Sequence, residues 1–132
     1  MSIQVKRDQS QAMRHIVHIR HHLVSVDGSV EEGGADAGPN PHDLYDAALG
    51  ACKALTLVWY AQRKNIPVED IQVSIELDAS QERQGIYRLT ASIQLSGQLS
   101  DAQRQELLAV AEKCPVQKLM TSVTTEVTTT LA

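Results

Sequence analysis

Two stretches of alternating residues constrain the fold of this chain more than any other feature. In residues 71–80 and again in residues 87–96, apolar side chains occupy every second position and polar side chains occupy the positions between them. A period of two places the apolar residues on one face of a β-strand. The polar link between the two stretches is short enough for a hairpin. The sequence therefore predicts an antiparallel strand pair with one covered face and one solvated face.

A long helix is predicted before this hairpin. Asn40 can cap its first turn, Pro41 suits the first helical position, and Asp43 adds negative charge there. The helix should run for about 24 residues, or about 36 Å, to Lys64, with Pro67 beyond its end. A stripe at spacings of three and four predicts its buried face. That stripe consists of Leu44, Ala48, Ala51, Leu55, Val58 and Gln62.

Shorter elements are predicted on either side of the long helix and the hairpin. Residues 3–6, 13–19 and 21–26 are compatible with strands, and glycine and proline doublets predict a loop over residues 31–41. Ser100 and Gln103 can form a capping box that starts a second helix. Cys114 and the proline after it end that helix near residue 113 and start a short one over residues 116–121. Alternation in residues 122–131 predicts a closing strand.

This order of elements predicts a single domain over residues 1–132 with an α+β fold, in which helices cover one face of an antiparallel sheet. A net charge of −4 argues against a nucleic-acid partner. The chain has no apolar run long enough to cross a membrane and no signal peptide at its start, so we expect a cytoplasmic protein without membrane contact. It also lacks nucleotide-binding loops and the usual zinc motifs, so we expect neither a cofactor nor a metal.

Two cysteines are the candidate reactive residues. Cys52 lies mid-helix beside Gly50, a residue that suggests a close approach to the backbone, and it is either a buried small residue or a nucleophile in a narrow pocket. Cys114 at a helix start is either a simple cap or a thiol whose charged form is favoured there. The two thiols could meet, but the sequence leaves their separation open. A stripe of His18, Arg20 and His22 is interpreted as a solvated strand edge.

The stretches 38–44, 47–52 and 111–116 resemble the OsmC/Ohr family of osmotically inducible and organic hydroperoxide resistance proteins. Because Lys53 follows the first cysteine where an aromatic residue often stands, the match is to the OsmC-like branch. The resemblance implies an antiparallel sheet covered by a long central helix. It also implies an intertwined homodimer with active sites at the subunit interface.

The resemblance further implies thiol peroxidase chemistry with Cys52 as the peroxidatic residue and Cys114 as the resolving residue. The substrates would be organic hydroperoxides or hydrogen peroxide, and an external thiol would reduce the resulting disulfide. In the family's peroxidases a glutamate after Asn-Pro holds an arginine from the amino-terminal segment. Here that position is His42, with Asp43 beside it. Arg20 or Arg14 could reach the pocket from an earlier strand, or a protonated His42 could take the place of the arginine.

A second hypothesis keeps the fold but not the efficient turnover. In this alternative the protein is a dimeric small-ligand-binding or thiol-sensing module. Because the chain contains no phenylalanine, the pocket walls must come from aliphatic residues and a few aromatic ones such as Tyr45 and Trp59. This predicts a looser preference for bulky organic peroxides than in relatives with aromatic-lined sites.

Overall fold

The computed structural model describes residues 2–132 and confirms an α+β fold. Its elements are β1 (Ile3–Arg7), β2 (His15–Ile19), β3 (His22–Val26), α1 (Pro41–Lys64), β4 (Asp70–Asp78), β5 (Arg88–Ser96), α2 (Asp101–Ala111) and α3 (Pro115–Thr121), with a 3-10 turn at Glu82–Gln84. The chain forms two compact units, divided after Tyr45. The assignment of residues 1–132 to a single domain stays a prediction.

The amino-terminal unit is a three-stranded antiparallel meander followed by a loop built around Asp27. One carboxylate oxygen of Asp27 accepts the amide of Gly28 at 2.8 Å, and the other accepts the amides of Ala35 and Ala37 at 3.1 Å each. The pKa of this buried carboxyl is lowered, chiefly by the Ala37 amide and against the opposing effect of burial. The loop is tightly packed, since a Cβ added at Gly38 would lie 2.2 Å from the Ser25 carbonyl oxygen.

Helix α1 begins and ends where the sequence predicts. The side chain of Asn40 accepts the amide of Asp43 at 2.8 Å, and the carboxylate of Asp43 accepts the amide of Asn40 at 3.0 Å. This reciprocal pair satisfies backbone donors that the first helical turn leaves free. After Lys64 the chain turns at Asn65, whose φ of 54° lies in the left-handed region that ends many helices.

The predicted buried face of α1 is wrong. The stripe that includes Leu55 is exposed, and Leu55 itself keeps 71% of its surface accessible. The buried positions lie on a different face: Asp46, Leu49, Gly50, Lys53, Leu57 and Ala61. Both faces carry apolar residues, so periodicity alone did not distinguish them. Burial of the two polar residues is possible because each has partners, and Asp46 accepts the Tyr87 hydroxyl at 2.7 and 2.8 Å.

Strands β4 and β5 form the predicted hairpin. Its register places Ile71 opposite Leu95 and Ile75 opposite Ala91, so the alternating apolar residues share one face. A buried cluster forms the core of the carboxy-terminal unit: Leu57, Ala61, Ile66, Leu107 and Ala111, with Ile71, Ile93 and Leu95 packed against it. The predicted close approach at Gly50 is confirmed, because a Cβ there would lie 3.0 Å from Cγ1 of Ile75.

Two further predictions about the sheet are corrected. The strands form two antiparallel sheets, β1–β2–β3 and β4–β5, and not one. The closing strand over residues 122–131 is absent from the structure, where residues 123–132 are exposed and unpaired. A strand needs a neighbouring backbone to complete its hydrogen bonds, and alternation in sequence does not supply one. The capping box at Ser100 and the short helix after Cys114 are confirmed.

Candidate active site

Cys52 lies half-buried on α1, and two groups contact its sulfur. The backbone amide of Val116 donates to Sγ at 3.5 Å. The hydroxyl oxygen of Thr56, one helical turn further along α1, lies 4.0 Å from the same atom. The Val116 amide therefore joins the start of α3 to the side chain of Cys52 on α1.

Cys114 lies at the junction of α2 and α3 and is completely buried. It is the N-cap residue of α3, its backbone is extended, and its amide donates to the carbonyl of Ala111 at 3.4 Å. Val116 follows two residues later. The bond from Val116 to Cys52 therefore brings the segment that carries Cys114 against the helix that carries Cys52, and both cysteines are free thiols. The two cysteines lie near each other, a point that the sequence left open.

Lys53 connects the same elements from the next position of α1. Only 4% of its surface is accessible. Its ammonium donates to the carbonyl oxygen of Ala111 at 2.8 Å and to the side-chain oxygen of Gln117 at 2.5 Å. One buried lysine thus bonds to the end of α2 and to α3, on either side of Cys114.

An open, largely apolar groove of about 550 Å³ is lined by neighbours of the two cysteines and by neither cysteine itself. Thr56, which contacts Cys52, and Pro115, which follows Cys114, both line it. The hydroxyl of Tyr60 donates to Glu106, and this bond raises the Tyr60 pKa, so that the phenol stays protonated. The remaining lining residues are Leu55, Trp59, Val110 and Lys113.

A family model described as OsmC-like protein matches residues 33–129, which include both cysteines and most of the chain. The chain belongs to the OsmC-like protein family. This confirms the resemblance found in the sequence. Comparison with functionally curated proteins gave no significant match.

Solved structures show the same OsmC-like fold at low sequence identity. An OsmC-like protein from Mycoplasma pneumoniae is 16% identical with a TM-score of 0.73, over 92% of this chain and 87% of that one. A protein from Psychrobacter arcticus, named for osmotic stress induction and detoxification response, is 19% identical with a TM-score of 0.70, over 90% and 87%. An organic hydroperoxide resistance protein from Legionella pneumophila is 21% identical with a TM-score of 0.65, over 92% and 88%.

The supporting residues predicted for this OsmC-like site lie in the amino-terminal unit. His42 is exposed in the first turn of α1, and Asp43 belongs to the N-terminal cap of that helix. Arg20 is exposed in the turn between β2 and β3, with a φ of 53°. Their predicted roles toward Cys52 stay predictions. Within residues 2–132, no three His, Cys, Asp or Glu side chains are arranged to hold a metal ion, and no helix is long and apolar enough to cross a membrane.

Neither Lys53 nor Val116 was assigned a role at this OsmC-like site from the sequence. Val116 acts through its backbone amide, which no side-chain pattern reveals. Lys53 was recognisable, because it stands four residues after Leu49 and four before Leu57, on a row that continues to Ala61. A lysine within an apolar row at helical spacing is an indication of a buried amine with specific partners.

Proposed function

We propose that this protein is a cysteine-dependent peroxidase that reduces organic hydroperoxides or hydrogen peroxide, with Cys52 as the attacking thiol. The observation that carries the proposal is the Val116 amide on the Cys52 sulfur, in the segment that follows Cys114. Membership of the OsmC-like family supports it, as does the structural likeness to the Legionella organic hydroperoxide resistance protein.

The reaction begins with the Cys52 thiolate attacking the distal oxygen of the peroxide. The O–O bond breaks, the leaving alkoxide or hydroxide takes up a proton, and Cys52 becomes a sulfenic acid. The Cys114 thiol then displaces the sulfenic hydroxyl as water and forms a Cys52–Cys114 disulfide. An external dithiol supplies two electrons and two protons to restore both thiols. No metal or organic cofactor takes part in this cycle.

The groove beside the thiols is the proposed position of the organic part of the peroxide. Trp59 is one of its lining residues, and the Arg63 guanidinium lies 4.7 Å from the Trp59 ring centroid. The rest of the apolar wall is largely aliphatic, so we propose only weak selection between bulky and small organic groups. The proposed cellular location is the cytoplasm, where reducing thiols are available.

The proposal is tested by following peroxide loss and free-thiol content after reduced protein is mixed with cumene hydroperoxide or hydrogen peroxide. Dithiothreitol serves as the external reductant. We expect Cys52→Ser to lose at least 100-fold in rate and Cys114→Ser to accumulate a sulfenic acid at Cys52 that dimedone traps. Peroxide loss at the wild-type rate in Cys52→Ser would refute the attacking role. Absence of the trapped species in Cys114→Ser would refute the resolving role.

The complete burial of Cys114 favours a second candidate function, a slow thiol sensor or weakly catalytic ligand-binding protein. A disulfide that includes a thiol without solvent access is reduced slowly by an external dithiol. In the same experiment this candidate predicts one stoichiometric oxidation and no sustained turnover in excess dithiothreitol. Sustained turnover would exclude it.

We also propose that the protein is a homodimer and that Arg20, His42 and Asp43 support the site in that assembly. The exposed face of α1 supports the dimer, because Leu55 and Trp59 keep 71% and 54% of their surfaces accessible beside the groove. Apolar residues clustered in this way commonly mark an interface. Leu55→Glu should shift the sedimenting species from dimer to monomer, while Gln84→Glu, on the exposed 3-10 turn outside α1, should not. A wild-type monomer would refute the dimer.

A further inference from the structure

Lys53 is an unusual residue to find buried, and its bonds leave its charge unmatched. Lysine is almost never fully buried without a partner, because removing an ammonium from water is costly. Both oxygens that accept from Lys53 belong to neutral groups, the backbone carbonyl of Ala111 and the side-chain amide of Gln117. These bonds occupy two of the three N–H groups of the ammonium but do not neutralise it.

The two partners of Lys53 lie on either side of the segment that meets Cys52. The Ala111 carbonyl also accepts the amide of Cys114, and Gln117 follows directly after Val116. Lys53 therefore fixes both ends of the turn whose middle contains the buried Cys114 thiol and the Val116 amide on the Cys52 sulfur. Lys53 is itself the residue next to Cys52 on α1.

We propose that Lys53 is a positioning residue for the thiol pair, which holds the Cys114 turn against α1 and supplies the positive charge that a Cys52 thiolate complements. This inference rests on the proposed peroxidase function. It gives the site a cation, a part for which Arg20 and His42 were the candidates in the sequence. The role of Lys53 is to favour the thiolate and to maintain the distance over which the disulfide forms.

Other charged groups on the surrounding elements do not replace Lys53. Glu112 and Lys113 at the end of α2, and Lys118 on α3, are exposed, so solvent screens their effect on the thiols. Asp46 is buried on α1, where it accepts the hydroxyl of Tyr87.

The test measures the rate of alkylation of Cys52 by iodoacetamide as a function of pH, in a Cys114→Ser background that leaves a single thiol. Lys53→Met keeps most of the aliphatic side chain and removes the charge. The midpoint of the alkylation profile should therefore move to higher pH by about one unit. Lys53→Arg keeps the charge and should restore most of the shift. Lys118→Met is the matched control, which removes an exposed lysine of α3 and should leave the profile in place. A folded Lys53→Met protein with the parent profile would overturn the inference.

A second substitution separates the charge of Lys53 from its structural role. Gln117→Glu gives the ammonium a carboxylate partner, so it should keep or raise the melting temperature while it moves the alkylation profile upward. Gln117→Leu removes an acceptor without adding charge and should lower the melting temperature with little change in the profile. A purely structural lysine predicts no upward shift in Gln117→Glu. This pair decides the question even if Lys53→Met fails to fold.

The alkylation experiment involves no peroxide, so its outcome is independent of turnover. A protein that shows the Lys53 shift but consumes no peroxide would retain this inference and lose the proposed function. A protein that consumes peroxide but shows no Lys53 shift would retain the function and lose the inference.

Discussion

The two compact units each bury a charged side chain, and they hold it in opposite ways. Asp27 in the amino-terminal unit accepts amides that are one, eight and ten residues away along the chain. Lys53 in the carboxy-terminal unit donates to oxygens 58 and 64 residues away. The carboxylate therefore organises one local loop, whereas the ammonium fixes the contact between a helix and a distant turn. Only the second arrangement lies next to a cysteine, Cys52.

A glycine in each unit is also in close contact with another part of the chain, a nearby backbone in one unit and a distant side chain in the other. In the amino-terminal loop, a Cβ at Gly38 would meet the backbone carbonyl of Ser25 at 2.2 Å. In helix α1, a Cβ at Gly50 would meet the side chain of Ile75 at 3.0 Å. A backbone cannot move without changing its own hydrogen bonds, but a side chain can rotate. The local loop should thus tolerate substitution less well than the long-range contact.

The largest effect expected from this comparison is that of Gly38→Ala. The added methyl group would force the loop away from β3, and we expect a loss of about 3 kcal/mol in the free energy of unfolding. Gly85→Ala is the control, because Gly85 has a left-handed φ of 89° but no atom within 4 Å of the added Cβ, and it should cost only about 1 kcal/mol. Chemical denaturation measures both. A loss at Gly38→Ala no larger than that at Gly85→Ala would mean that the loop yields to the added methyl group and that crowding does not limit it.

Gln117→Leu should have the next largest effect, this time in the carboxy-terminal unit. Removing one acceptor from a buried ammonium should cost about 2 kcal/mol. Hydrogen exchange should become faster in residues 111–117 and stay unchanged at the amides of Ala35 and Ala37. Gln62→Leu, on an exposed position of α1, should change the unfolding free energy by less than about 0.5 kcal/mol. Faster exchange in the Asp27 loop would contradict the distinction between local and long-range anchoring.

The sequence predicts those parts of this molecule that depend on near neighbours. The caps at Asn40 and Ser100 are made by residues three positions apart, and the hairpin strands each show an uninterrupted period of two. The cysteines and the turn at Cys114 were also identified from residue type and position. Each of these features uses information that lies within a few residues.

The features that the sequence did not predict depend on distant partners. The buried face of α1 is decided by what Lys53 and Leu57 meet in α2 and the hairpin, and apolar residues such as Leu55 on the other face made both choices plausible. The alternating residues 122–131 lack a neighbouring strand, so no pattern within them could make one. The contact between Val116 and Cys52 spans 64 residues and uses a backbone amide.

Asp27→Asn tests the local anchor through its dependence on pH. The folded-state pKa of Asp27 lies below the ordinary value of 3.8, mainly because of the Ala37 amide. Its stabilising contribution is complete above the unfolded-state pKa and is lost as pH falls through the lower folded-state value. The wild-type melting temperature should thus fall more steeply than that of Asp27→Asn below about pH 4.

The difference in melting temperature between the wild type and Asp27→Asn isolates the contribution of Asp27 to the pH dependence of stability. The pKa of Asp8 is also lowered, by the Ser10 hydroxyl and by Arg14, but Asp8 is present in both and cancels. At neutral pH the variant should be less stable, because an amide NH₂ in place of one carboxylate oxygen would face the amides of Ala35 and Ala37. Parallel melting curves at acidic pH would show that Asp27 is not the anchor of this loop.

Gly50→Ala should have the smallest effect, since two opposing terms nearly cancel. Alanine stabilises a helix interior by about 1 kcal/mol relative to glycine, but its Cβ would press on Cγ1 of Ile75. In an Ile75→Ala background the contact is gone, and Gly50→Ala should then stabilise the protein by about 1 kcal/mol. A double-mutant cycle measured by denaturation gives the coupling directly. If Gly50→Ala has the same effect in both backgrounds, the glycine is not there to admit Ile75, and the close approach of β4 to α1 would need another cause.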